Sequence, residues 1–211
     1  MEQNLNLLRQ EIVDKSLQAF REGLFSGTSG NMSCRIAPDE MLITPTSVRY
    51  DVLRARDIVR MKLDGTVLEG EMQPSSEWRM HAAVYEAYGE TNAVFHTHSP
   101  YATAFAVVRE SIPAVLIESC VFLGGDIRCA DYAAPGTKEV GVNAVPALRD
   151  RGGCTLANTA CSPWGRTLRR CTCARNTSRM SPKFTRMPGP SARRWRSIHS
   201  KTPCAWAQKE N

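Results

Sequence analysis

The sequence predicts an α/β protein layered about a central sheet. Helical and strand-like patterns alternate through the first 158 residues, the signature of that architecture. The apolar share of 42% is that of an ordinary globular chain. A length of 211 residues fits one domain, since single cores grow to roughly 250 residues.

Leu5, Leu8, Ile12, Leu17, Phe20 and Leu24 recur near helical spacing and Gly23 supplies a stop, so an amphipathic helix opens the chain. Gly27-Thr28-Ser29-Gly30-Asn31 forms a loop leading into a short strand near 32–35. A second strand over 41–44 is stopped by Pro45. Strands over 57–63 and 66–68 flank Asp64-Gly65, a hairpin signal. Ser75-Ser76-Glu77 opens a helix running to about Tyr88, followed by a buried strand over 93–98. Ser99-Pro100 pairs a cap with proline at the first helical position, so another helix starts there. Strands over 114–117 and near 127–129 precede the loop Tyr132–Thr137. A helix over 138–149 and a strand over 154–157 follow.

The net charge of +6 joins two different compositions. Residues 159–211 hold twelve basic residues and one acidic residue, whereas residues 1–158 carry 15 basic and 20 acidic. The tail has three of the four tryptophans, yet Leu168 and Ile198 are its only residues of the Leu/Ile/Val group. So few aliphatics cannot bury enough area to offset chain entropy, and a poorly ordered segment is expected. The domain-like part therefore ends at 158, with 159–211 a basic, non-native tail. An out-of-frame reading explains it: with one base restored, a GC-rich coding of the segment after Asn158 reads His-Gly-Leu-Leu-Ala-Val-Gly. The same shift over 176–184 permits an amphipathic helical pattern.

Several classes are set aside. No apolar run approaches the roughly 18–20 residues that span a bilayer, and the N-terminus lacks a basic segment followed by an apolar one. A cytoplasmic protein without membrane partners is expected. Nucleic acid is not expected as a partner, because acidic residues dominate the first 158. The cysteines lack paired metal-knuckle spacing and suit a reducing compartment.

His96-Thr97-His98 is the sharpest constellation. In a strand, residues i and i+2 share a face, so both imidazoles converge on one volume. That spacing suits a metal, and it equally suits two ordinary histidines. Glu77 sits in the first turn of a predicted helix, where the dipole favours an anion, whether carboxylate or bound phosphate. Ser75 and Ser76 read there as ordinary caps.

Taken in order, Gly27-Thr28-Ser29-Gly30-Asn31, Leu42-Ile43-Thr44-Pro45-Thr46-Ser47, Pro74-Ser75-Ser76-Glu77-Trp78, His96-Thr97-His98, Gly124-Gly125 and Tyr132-Ala133-Ala134-Pro135-Gly136-Thr137 form a series. Over roughly residues 1–158 this series resembles the class II aldolase/adducin-head family. The resemblance implies a three-layer αβα fold with a mainly antiparallel sheet, and a homotetramer with sites between subunits. It implies one zinc ion per subunit, held by Glu77, His96, His98 and a third histidine in an Asn-His-Gly motif, with Glu77 also catalytic. By the same likeness a sugar phosphate is seated by Thr28, Asn31, Thr46, Ser47, Ser75 and Ser76. The implied reaction is aldol cleavage of a ketose 1-phosphate, such as L-fuculose 1-phosphate, to dihydroxyacetone phosphate and an aldehyde. Other family branches decarboxylate acids or epimerise sugar phosphates, and the adducin head is a non-catalytic binding module.

Two departures stand out. Asn158-Thr159-Ala160 occupies the place of Asn-His-Gly, where the restored frame returns His-Gly. The family's fuculose-phosphate branch also carries a tyrosine proton donor just after its Ser-Ile-Pro-Ala segment. Here Ser111-Ile112-Pro113-Ala114 runs into Val115-Leu116-Ile117-Glu118. Impaired function is expected for the chain as written.

Overall fold

The computed structural model describes residues 2–158 and 160–165. Helix α1 (Glu2–Arg21) leads into β1 (Asn31–Ala37), β2 (Glu40–Ile43), β3 (Val59–Lys62) and β4 (Val67–Glu69). Next come α2 (Trp78–Ala87), β5 (Ala93–His96), α3 (Pro100–Val107) and α4 (Ile117–Leu123). Strand β6 (Arg128–Ala130), α5 (Lys138–Leu148), β7 (Gly153–Leu156) and β8 (Ala160–Gly165) complete the order.

The strands form one eight-stranded sheet in the order β4-β3-β2-β1-β5-β8-β7-β6. Every neighbouring pair is antiparallel except β6 with β7. Period-two alternation sends Met32, Cys34, Leu42, Ala93 and Phe95 to one face, against Ile12, Val13 and Ala19 of α1. Met41, Ile43, Val59, Met61, Val94 and Cys154 go to the other, against α2 and α5. Helices on both faces of a mainly antiparallel sheet make this the three-layer αβα fold.

Most elements form where the sequence places them. The chain leaves α1 through Gly23 at φ +70°, a conformation glycine adopts at little cost. In the 59–69 hairpin the Asp64 carboxylate accepts the Thr66 N–H at 2.8 Å, the local bond expected of aspartate in a turn.

Three readings are corrected. The expected strand over 114–117 is absent; Ile112 makes an isolated bridge with Ile127, and helix α4 follows. Gly124 at φ +79° closes α4, with its N–H on the Cys120 carbonyl and that of Gly125 on Ser119. The glycine pair is thus a helix stop, and the β-branched run before it reads equally well as strand. Second, β5 ends at His96, so His98 lies beyond the strand, with its N–H on the Leu24 carbonyl at 2.9 Å. Third, Glu77 stands at the N-cap of α2 rather than inside its first turn, and its side chain caps nothing.

The sheet continues past residue 158. Strand β8 lies between β5 and β7, pairing Val94 with Trp164 and Thr155 with Cys161. The tail expectation for residues 166–211 lies outside the described residues. Among the described residues, no helix is long and apolar enough to cross a membrane.

Candidate active site

The site begins with a register. Asn31 on β1 lies directly opposite His96 on β5. Alternation turns Asn31, Ser33 and Arg35 away from α1, toward α2. On α2, Glu77, His81 and Tyr85 are spaced by four and so share one stripe. Four helical residues rise about 6 Å and two strand residues about 6.7 Å, so the two stripes mesh rung by rung. The Asn31 amide N–H donates to Glu77 Oε2 at 3.0 Å. His81 Nε2 lies 2.5 Å from Asn31 Oδ1, and its Nδ1 lies 2.6 Å from Ser33 Oγ. Ser33 Oγ is 2.7 Å from the Tyr85 hydroxyl. The Arg35 guanidinium lies over the Tyr85 ring, 4.8 Å from its centroid, and donates to the Tyr85 carbonyl.

His96 Nε2 is 2.9 Å from Glu77 Oε2, and the imidazole is fully buried. Among the described residues neither of its ring nitrogens has a well-aligned hydrogen bond. The His98 ring stands edge-on to it, with centroids 5.1 Å apart and an interplanar angle of 84°. Burial pushes the Glu77 carboxyl up, but His96 and the Asn31 amide together outweigh it and bring the carboxyl down to about 2. Burial is also the main force holding the His98 imidazole below its ordinary range, with His96 adding to it. His81 is driven down to about 3, by burial first and the charge of His96 second.

Two loops are fastened beside this pair. The Ser75 N–H donates to the Thr44 carbonyl at 3.0 Å, the Thr46 N–H to Gln73 at 3.0 Å, and Pro45 bridges Pro74. Thr44 is itself anchored on β1, where its hydroxyl accepts the Met32 N–H at 3.1 Å. Thr46, Ser47 and Ser76 are exposed on these loops, as is Thr28 on the turn before Asn31. Ser75 is buried, and its Oγ accepts the Glu77 N–H at 3.3 Å. Gly30 sits at φ +89° against the Phe25 ring, where a Cβ would stand 2.2 Å from a ring carbon. Its carbonyl accepts the Tyr50 hydroxyl, so both ends of that approach to Asn31 are pinned.

The structure therefore brings Glu77, His96 and His98 to one place, next to loops bearing the expected hydroxyls. Asn31, expected among the phosphate donors, is buried with one amide proton on Glu77. Thr159, at the place of a further histidine, lies outside the described residues. Among the described residues, no three His, Cys, Asp or Glu side chains stand in a metal-holding arrangement. The Glu77 carboxylate instead contacts His96 directly. Donor types suit a divalent ion all the same: a carboxylate and two imidazoles are ordinary ligands, and neither His96 ring nitrogen makes a well-aligned hydrogen bond among the described residues. Sequence reasoning missed His81, Ser33 and Tyr85. Their signal was the 77–81–85 stripe facing a strand with polar residues at 31, 33 and 35.

Known proteins share this sequence pattern and this fold. Over 146 residues the chain is 41% identical to L-fuculose phosphate aldolase of Escherichia coli (strain K12), covering 69% of this chain and 67% of that one. It is 38% identical over 162 residues to 5-methylthioribulose-1-phosphate/5-deoxyribulose-1-phosphate aldolase of Rhodospirillum rubrum, covering 77% and 72%. A solved structure of L-fuculose 1-phosphate aldolase superposes with a TM-score of 0.76 at 30% identity, covering 92% of this chain and 94% of that one. The family described as Class II Aldolase and Adducin N-terminal domain matches residues 10–174, and the chain belongs to it.

Proposed function

We propose that this chain is a metal-dependent aldolase that cleaves a ketose 1-phosphate, such as L-fuculose 1-phosphate, to dihydroxyacetone phosphate and an aldehyde. The observation that carries the reading is the buried Glu77–His96 contact, with no well-aligned hydrogen bond on either imidazole nitrogen and His98 alongside. Glu77, His96 and His98 would hold the ion, for which zinc is the fitting choice given two imidazoles and a carboxylate. Such an ion supplies Lewis-acid stabilisation of developing negative charge, worth several kcal/mol.

The chain's own groups do the rest. Retro-aldol cleavage removes the proton from the hydroxyl that becomes the aldehyde and leaves an enediolate, which must then be protonated on carbon. Glu77, ionised at neutral pH, takes the first proton as general base and returns it as general acid. Thr28, Thr46, Ser47 and Ser76 offer hydroxyls to the phosphate, with Ser75 and Asn31 fixing the loops around them. Anchoring the phosphate lowers the entropic part of the barrier. We place the enzyme in the cytoplasm as a homotetramer, one ion per subunit.

The chain as written works below the family's capacity in this reading. Pro163 lies in β8, opposite Gly153 and inside the sheet, where its missing N–H weakens the ladder. In the GC-rich coding given above, a frame change at codon 159 would put alanine there and histidine in place of Thr159. The test is zinc-supplemented cleavage of L-fuculose 1-phosphate and 5-methylthioribulose 1-phosphate, followed through dihydroxyacetone phosphate. Release is expected, rising in the frame-restored chain; no release from any such substrate by the restored chain contradicts the assignment.

The absence of tyrosine after Ser111-Ile112-Pro113-Ala114 favours one second reading, decarboxylation or epimerisation through a similar enolate. Carbon dioxide release or inversion at a sugar carbon, without cleavage, would mark it.

A further inference from the structure

We propose that His81 is a positioning residue, the centre of a one-way hydrogen-bond relay running Tyr85–Ser33–His81–Asn31 that aims an amide N–H at Glu77. This deepens the aldolase reading and rests on Glu77 as its acid–base group.

The direction of the relay follows from its Glu77 end. An ionised carboxylate only accepts. At 3.0 Å from Glu77 Oε2, the Asn31 amide must present its nitrogen; the flipped amide would set two acceptors against each other with no proton between them. Asn31 Oδ1 then faces His81 Nε2 at 2.5 Å, so that nitrogen carries a proton. The imidazole is wholly buried and its two hydrogen-bond partners are both neutral. It therefore stays neutral, and Nδ1 keeps a lone pair. Ser33 spends its hydroxyl proton on Nδ1 at 2.6 Å, leaving its oxygen to accept from the Tyr85 phenol at 2.7 Å. The Arg35 cation over the Tyr85 ring makes that phenol a better donor.

Each link permits one proton arrangement, so the chain transmits orientation rather than charge. It also explains a buried histidine that is not itself one of the expected ion or phosphate ligands. The near-equal rise of the two stripes lets one strand and one helix supply every member. Polar groups at this depth are costly unless satisfied, and here each is satisfied by the next.

The test uses the full chain, with nitrogen-15 in histidine and carbon-13 in the glutamate carboxyls. His81, assigned by the signals lost in His81→Gln, is expected to show a protonated Nε2 and a bare Nδ1 at neutral pH. Ser33→Ala is expected to mix the two His81 tautomers and to shift the Glu77 carboxyl signal, itself assigned with Glu77→Gln. Ser33→Thr, which keeps the hydroxyl, is expected to restore both. Should Ser33→Ala fail to fold, Tyr85→Phe removes the outermost donor and is expected to shift the same signals less. A protonated Nδ1, an imidazolium, or a Glu77 signal unmoved in the folded variant overturns the relay. Absence of cleavage by the frame-restored chain with the expected tautomer refutes the proposed function alone; intact cleavage with the wrong tautomer refutes the relay alone.

Discussion

Strand β1 has two faces that do opposite work. Toward α1, Met32 and Cys34 join an apolar cluster in which Phe25 packs on Tyr50 and Phe95, with ring centroids 4.4 and 5.0 Å apart. Toward α2, Asn31, Ser33 and Arg35 meet Glu77, His81 and Tyr85 through hydrogen bonds and the Arg35 cation over the Tyr85 ring. The first face is held by apolar packing, with only weak contacts of the Ser16 hydroxyl to Met32 Sδ and of the Cys34 thiol to the Arg35 carbonyl, so its contribution scales mainly with area. The second gives up that area to fix where a carboxylate points. One seven-residue strand thus divides stability from chemistry by parity.

Breaking one face should leave the other legible. The largest expected effect is Glu77→Gln, which removes the acid–base group and should lower kcat by roughly 10²–10⁴, far more than its loss of stability accounts for. Phe25→Ala should do the reverse, costing about 3–5 kcal/mol in denaturant unfolding while any folded fraction keeps its turnover. If Phe25→Ala lowered kcat as steeply as it lowered stability, the division would fail.

A smaller effect separates the faces by pH. His81 sits near 3 when folded against an ordinary 6.5, so unfolding takes up a proton in this window. Stability should therefore be unaffected by His81 above about 6.5 and should fall as the pH drops from there toward 3. His81's part of the slope is of order one proton, and His81→Gln should remove that part. The His98 imidazole is also held below its ordinary range, so His81 is read as the difference in unfolding free energy between the chain and His81→Gln over pH 5 to 7, where most carboxylates are still ionised. The smallest effect belongs to the exposed loop: Ser76→Ala should raise KM a few-fold for a phosphorylated substrate, about 1 kcal/mol for one hydrogen bond, and leave kcat alone.

Patterns confined to one element were legible in the sequence, and meetings between elements were not. The α1 stripe, the Asp64-Gly65 hairpin and Pro100 at a helix start are local signals, and they formed as read. His96 and His98 were found as an i, i+2 pair. The inferred reason failed because the strand stops at His96, although the rings still meet at 5.1 Å. Helix α4 was lost because Val115 and Ile117 suit a strand, and only Gly124-Gly125 announces the stop. His81 stayed hidden because its meaning depends on the register of β1 against α2, which no single segment contains.

Titration with zinc or cobalt, read by calorimetry and by the cobalt visible spectrum, tests the central claim most directly. One ion per chain is expected, with binding lost in His96→Ala and weakened in His98→Ala, and tightened by Thr159→His. Binding that survives His96→Ala and His98→Ala unchanged, or no binding even in the frame-restored chain, would contradict the assignment of this site.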